Sequence, residues 1–322
     1  MPQGIVNAVN NPVLTQIVQG YTPTGFIRDR VLPEIKVTAY SGDILVAGDD
    51  HLRIQNDAQV GAAETPLMTW SIEKTGAWNI KHHGLKAQIT LDLALRYNNE
   101  SKQIAIAQFR NLTGKKLKQS MMLHREDSLA LKLTSIAGYV DSNTVTLSGV
   151  NQWNDRDNSD PLADFKLART TIYNNSGLIA NTALLSWNAF ECLRHHPDLI
   201  SMLSNAHRSD RLIGISEQQL ALLLGVNEVL VGTVMKNTAD QGLARVNAPV
   251  WGNDAVLFYK NPNPRPEHFE ESLGYRFLQE KLVMHTWEEN DPPGASFVRA
   301  FEKVDDKILS LKAAYLIKDA VA

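Results

Sequence analysis

The chain has 322 residues, 43% apolar and 21% charged, with a formal net charge of −3 and one cysteine. That balance describes a soluble globular protein, large enough for one elaborated domain or two modest ones. It excludes an internal disulfide framework, and no apolar run reaches the length of a bilayer span, so no membrane partner is expected.

Residues Met1 to Ile27 contain no Lys, Arg, Asp or Glu, and Arg28 is the first charge. A protein that grips nucleic acid by releasing counterions carries a basic arm or patch. Here the terminal arm is neutral. The densest basic cluster, Lys115, Lys116 and Lys118, falls in a helical stretch and reads as a solvated face. Tight, direct nucleic-acid binding is therefore not expected. Within the arm, Asn11 and Pro12 suit the N-cap and first turn of a short helix ending at Gly20. Val13, Leu14, Ile17 and Val18 would share one of its faces. Two turns of helix cannot stand alone, so this one must dock, on its own body or on a neighbour.

Residues 36–48 read as a strand, with turn signals at Ser41-Gly42-Asp43 and Gly48-Asp49-Asp50. A small, polar stretch follows, and then a second β-leaning run from Leu67 through Trp70, Ile72, Trp78 and Ile80 to Leu85. The pair predicts a long two-stranded arm, too polar for a central sheet. From Asn99 to Ser135 the pattern turns helical. Ile106, Phe109, Leu117, Met121, Leu129, Leu133 and Ile136 fall on one face, interrupted at His124 and Arg125. Gly114 costs this helix about 1 kcal/mol against alanine and marks a bend.

Residues 139–260 read as a mixed α/β unit. Val145 and Leu147 give a short strand. Asp160-Pro161 starts a helix whose buried stripe is Leu162, Phe165, Ala168 and Ile172, with Gly177 as its stop. A strand from Thr182 to Leu185 leads into "SWNAFECLRHHPDL", where Trp187, Phe190 and Leu193 read as packing residues and Pro197 opens the next helix. Ser216 with Gln219 forms a capping box, and strands follow at Val229–Met235 and Ala255–Tyr259. After "NPNPRPEHF", the runs Tyr275–Trp287 and Phe297–Ile317 are divided by Asp291-Pro292-Pro293-Gly294, the mark of a long hairpin.

Several segments imitate chemistry. Cys192 shares a helix face with His195 and His196, but zinc needs three or four ligands at about 2.0–2.3 Å, and no partner motif is present. A buried cysteine beside histidines at a helix C-terminus explains the cluster better, leaving the histidines as a pH-sensitive spot near a subunit contact. His82-His83 reads as a strand-edge or interface pair. "DRDNSD" lacks the glycine and glutamate of a calcium loop, and Asp160 reads as a helix cap. No phosphate-cradle or esterase motif occurs. No catalytic residue, metal site or cofactor is expected.

The order of these segments resembles the major capsid proteins of tailed double-stranded DNA bacteriophages, the Hong Kong 97 type of fold. "GDDHLRI", "GAAETPLMTWSI" and "HHGLKAQI" look like the two sides of that family's E-loop. "NQWNDRDNSDPLADFKLARTTI" and "NTALLSWNAFECLRHHPDLI" look like the entry to its A-domain. The resemblance covers nearly the whole chain. It implies an α+β fold with an N-terminal arm (1–35), an E-loop (36–90), a P-domain with a spine helix (91–138), an A-domain (139–262) and P-domain C-terminal strands (263–322). It further implies a non-enzymatic shell protein of the virion, assembled in the host bacterial cytoplasm into pentamers and hexamers that enclose double-stranded DNA without reading its sequence.

The short region before the E-loop implies a separate scaffolding protein, alongside a portal and a cement protein. The founding member's lysine–asparagine cross-link has no residue-by-residue counterpart around Lys74, Lys81 and Lys86. Inter-subunit contacts are expected from Val13, Leu14, Ile17 and Val18 of the arm and from Arg53, Glu64 and Trp70 of the E-loop. An encapsulin-like compartment shell is the alternative reading, and a metal-dependent hydrolase built on the Cys-His-His segment a distant one.

Overall fold

The structure is a computed structural model that describes residues 8–47, 54, 72–90, 92, 96, 102–203, 214–265, 270–289 and 295–322. Two five-stranded sheets and one long helix organise it. The first sheet is built on a hairpin of β12 (Gly274–Glu289) and β13 (Ala295–Ile308). Its order is β1 (Val9–Asn10), β12, β13, β5 (Lys81–Thr90), and β2 (Glu34–Lys36) pairs parallel with β12. The second, mixed sheet has the order β6 (Thr144–Thr146), β14 (Ala314–Lys318), β11 (Ala255–Phe258), β7 (Thr182–Ser186), β8 (Glu228–Gly232). Two smaller ribbons pair β3 (Ser41–Ala47) with β4 (Ile72–Asn79), and β9 (Met235–Asn237) with β10 (Asn247–Pro249).

Local chemistry sets the helices. In α1 (Pro12–Gly20) the Asn11 side chain accepts from Leu14 N at 3.0 Å, and proline occupies the first turn. After the single turn α2 (Arg28–Val31), the helix α3 (Lys102–Leu133) runs 32 residues. α4 (Pro161–Ser176) is capped by Asp160 and stopped by Gly177 at φ 69°, a conformation open to glycine. α5 (Trp187–Arg194) and α6 (Pro197–Leu203) follow β7, and α7 (Glu217–Leu224) begins on the Ser216–Gln219 capping box.

The mixed sheet is buried on both faces. Ala183 and Leu185 of β7 point into a core with Phe165, Ile172, Leu193 and Leu220, while Leu184 joins Leu129, Leu133 and Trp251 on the other side. Such strands read as continuous apolar runs, as β7 and β11 do. The hairpin sheet packs one face on α3 and α1, through Met284, Val298, Ala300, Leu117, Met121, Leu14 and Val18.

Five expectations are corrected. Ser41-Gly42-Asp43 is the start of β3, not a turn, because Gly42 lies under the Trp78 ring, where a Cβ would collide at 2.1 Å. The run through Leu85 is two strands: β4 pairs with β3, but β5 pairs with β13 along ten residues and belongs to the hairpin sheet. The run Phe297–Ile317 likewise divides at Leu311–Ala313, and β14 crosses to the mixed sheet between β11 and β6. Finally, Ile136 lies beyond α3 and is exposed, as is Trp187, whereas Phe190 and Leu193 are buried.

Candidate assembly interfaces

The N-terminal arm is tied to its own body by a small set of contacts. Leu14 and Val18 enter the core between α3 and the hairpin sheet. Gly114 makes this possible: a Cβ there would stand 2.8 Å from Val18 Cγ2. The glycine expected to bend α3 instead admits α1. Lys118 closes the helix, its ammonium donating to the Val18, Gln19 and Tyr21 carbonyls at 3.0, 3.0 and 2.6 Å. Val18 and Gln19 lie in the last turn of α1 and Tyr21 just beyond it, where a cation is favoured. Lys118 is thus not the solvated residue its basic cluster suggested, and burial lowers its pKa.

The face predicted for the arm therefore divides. Leu14 and Val18 are buried in the same protomer, while Val13 and Ile17 stay exposed at 67% and 39%. Only the second pair is free to meet another molecule. Arg53, Glu64 and Trp70 lie outside the described residues.

Next to the arm, α2 sits in a buried charged joint. The Glu126 carboxylate of α3 accepts from Ile27 N (3.2 Å), Arg28 N (2.9 Å) and the Trp251 indole Nε1–H (2.8 Å). Arg28 donates to both oxygens of Asp306, at 2.7 and 2.8 Å. Asp29 pairs with Arg276 at 2.6 Å, and Arg125 with Glu302. Arg28, Arg125, Glu126 and Glu302 are all buried. The joint therefore links the arm, α3, both strands of the hairpin and the loop before β11.

Burial pushes the Glu126 carboxyl pKa up, against the three hydrogen bonds that favour its charge. Burial, reinforced by Arg28 and Arg276 and opposed by Asp306 and Asp29, lowers Arg125 to about 9. Sequence reading noted Arg28 as the first charge and Arg125 as an interruption of the apolar face, but assigned neither a buried partner and passed over Glu126 and Glu302. The available signal was spacing: Met121, Arg125, Leu129 and Leu133 recur every four residues, which places a charge on the apolar face of a helix.

The Cys-His segment is accounted for by packing. Cys192 Sγ–H donates to the Trp153 carbonyl at 2.9 Å, and burial raises the thiol pKa, leaving little thiolate for nucleophilic attack. His195 contacts Glu191 at 3.2 Å, one turn back on α5. His196 is buried inside the α/β unit, 3.2 Å from Ser159 Oγ, and burial lowers its pKa. Among the described residues no three His, Cys, Asp or Glu side chains are placed to hold a metal ion. His82 lies exposed on β5 opposite Lys303, and Asp160 serves as the α4 cap. No helix among the described residues is long and apolar enough to cross a membrane.

No family model matches the chain. The major capsid protein of Burkholderia phage BcepMu is 22% identical over 312 residues, covering 95% of this chain and 95% of that protein. A phage-related protein from Bordetella bronchiseptica RB50 has a solved structure that matches with a TM-score of 0.72 at 25% identity, covering 97% of this chain and 98% of that one. The putative capsid protein of an E. coli CFT073 prophage gives 0.59 at 11% identity over 97% and 99% of the two chains. The mature capsid protein of bacteriophage PhiM1 gives 0.54 at 11% over 93% and 88%.

Proposed function

We propose that the chain is a phage major capsid protein of α+β Hong Kong 97-type fold that builds a shell. Copies associate into pentamers and hexamers that close an icosahedral head around double-stranded DNA. The observation that carries this reading is the end-to-end match, 95% of both chains, with a major capsid protein, together with a fold that extends a β-ribbon from its body. The role is structural and non-enzymatic, and its place is the virion, after assembly in the host bacterial cytoplasm. A separate scaffolding protein, a portal and a cement protein are the proposed partners, since rings of two sizes from one sequence need guided curvature.

The proposed division places residues 1–35 in the N-arm, 36–90 in the E-loop, 91–138 in the P-domain with α3 as its spine, 139–262 in the A-domain and 263–322 in the returning strands. Val13 and Ile17 are proposed to meet a neighbour, together with Arg53, Glu64 and Trp70 of the E-loop. Leu14 and Val18 support that contact from beneath. The genome is contained rather than gripped: the formal charge is −3, and Lys118, from the densest basic cluster, is spent on the arm.

Electron microscopy of the purified protein and of particles from its phage tests the reading. Closed icosahedral shells that protect double-stranded DNA from nuclease are expected. Persistently monomeric protein, or shells filled with cargo enzyme and no DNA, would overturn it.

A further inference from the structure

A groove of about 290 Å³ runs along the outer side of α4, lined by Lys166, Arg169, Thr170 and Tyr173 and by Ile179 on the way to β7. The four helix residues are spaced by three, four and seven positions and so share one face, opposite the buried stripe of Phe165, Ala168 and Ile172. Tyr173 and Ile179 give the groove an apolar wall, 57% and 63% exposed. Arg169 reaches across to the end of α7 and donates to the Leu224 carbonyl at 3.3 Å. Gly225 makes room for it, since a Cβ there would collide with the guanidinium. Among the described residues, no ion pair engages Lys166 or Arg169.

The β9–β10 hairpin has the opposite character and lies exposed along nearly its whole length. Val234, Val250 and Trp251 root it in the core beside α3, and Lys236 pairs with Asp127 of α3 at 2.6 Å. Its tip closes on itself. The Asn237 side chain accepts from Ala239 N and Val246 N at 3.2 and 2.9 Å, and Thr238 N donates to the Val246 carbonyl at 2.9 Å. Leu243 N donates to the Asp240 carbonyl at 3.1 Å, across a turn in which Gly242 takes φ 95°. The tip is therefore shaped within one copy, yet it holds Leu243 70% exposed beside the exposed Asp240. Its cation, Arg245, is engaged by Asn247. Among the described residues, Asp240 has no ion-pair partner.

We propose that the β9–β10 tip of one copy seats in the α4 groove of the next, with Leu243 against Tyr173 and Ile179 and the Asp240 carboxylate toward Lys166 and Arg169. The inference rests on the shell reading. The groove belongs to the helices over one face of the mixed sheet, and the hairpin to the side of α3 on the other, so joining them takes two copies. A contact between two different patches is heterologous: it repeats from copy to copy and closes into a ring when the rotation allows. An acidic segment of another protein would also suit two cations. A second copy is favoured because the chain itself presents the matching apolar group and carboxylate already fixed in a closed turn, which lowers the cost of ordering them on contact.

Particles assembled from a mixture of isotope-labelled and unlabelled chain, treated with a zero-length carbodiimide and read by mass spectrometry, test the contact. Amide links between Lys166 and Asp240 that join a labelled to an unlabelled peptide are expected, at least about tenfold more abundant than in dissociated subunits at equal concentration. Links confined to peptides of one label, or Lys166 joined instead to carboxylates of another particle protein, overturn the proposal. Leu243→Asp alters a side chain that packs little on its own copy, so thermal unfolding of the subunit should stay as in wild type while particle yield falls about tenfold. Lys166→Glu with Arg169→Glu should lose as much, and adding Asp240→Lys should recover it. Wild-type particle yield from folded Leu243→Asp, or no recovery when Asp240→Lys is added to the folded pair, overturns the proposal. A wild type that forms no shells sinks the shell reading itself.

Discussion

Strand β7 is buried at every position and meets apolar side chains on both faces, whereas the joint around Glu126, on the far side of the same layer, buries four charged residues. Both regions hold the protein together, through different physics. In the mixed sheet each residue removed from water contributes on its own, and a truncation leaves a cavity. In the joint the favourable terms are mutual, and removing one partner strands the other in a medium that penalises charge. The apolar region is therefore tolerant of exchange and intolerant of deletion. The charged one is sensitive to changes made singly and forgiving of changes made in pairs.

Deletion in the apolar region should have the largest effect. Phe165→Ala is expected to cost about 3–5 kcal/mol in urea unfolding, since its ring is fully buried between α4 and the mixed sheet. Glu302→Ala should cost about 3–4 kcal/mol by leaving Arg125 unpaired, while Arg125→Met with Glu302→Leu should recover most of that loss. If the double variant is as unstable as the single one, the contrast between the regions fails. Gly114→Leu is expected to lose about 1–3 kcal/mol by overpacking against Val18, and to speed proteolysis of the arm before Arg28. Arm cleavage at the wild-type rate would show that α1 does not depend on that glycine.

The smallest effect distinguishes the regions by the sign of a titration. Glu126 has a folded pKa raised by burial, so the native state takes up its proton first on acidification. The stability linked to this proton is complete below the ordinary value of 4.5 and lost as pH rises through the raised folded value. Wild type should therefore gain on Glu126→Gln as pH falls toward 4.5. His196 runs the other way. Burial depresses its pKa, so its contribution is complete above the ordinary value of 6.5 and lost as pH falls from there to the folded value. His196→Gln should flatten that part of the stability curve. Parallel pH curves for either variant and wild type would remove the corresponding group from the account.

How much could be read in advance follows the same division. α4, β7, α5 and α7 were legible because caps and breakers are local: Asp160, Pro161, Gly177, Ser216 and Gln219 act within four residues of themselves. The long helix was legible from its apolar face. Val13, Leu14, Ile17 and Val18 were found as a group, yet which pair faces inward depends on Gly114, about a hundred residues away. Lys118 looked solvated because nothing near it in sequence reveals the carbonyls it meets. The proposed contact residues Arg53, Glu64 and Trp70 rest on resemblance to phage capsid proteins rather than on any local signal.

By itself the sequence determined the order of the main helices and strands, the caps and stops of α4 and α7 and the lack of a catalytic or phosphate-binding motif, since period, capping and composition are properties of short stretches. Tertiary structure decided that β5 joins the hairpin, that β14 crosses to the mixed sheet, and that Arg125 and Glu126 lie inside. Each of these depends on which distant backbone edge or opposite charge comes within a few ångströms. Pairing of that kind is settled by the whole chain at once, because an unpaired strand edge or a buried charge is costly until its partner arrives.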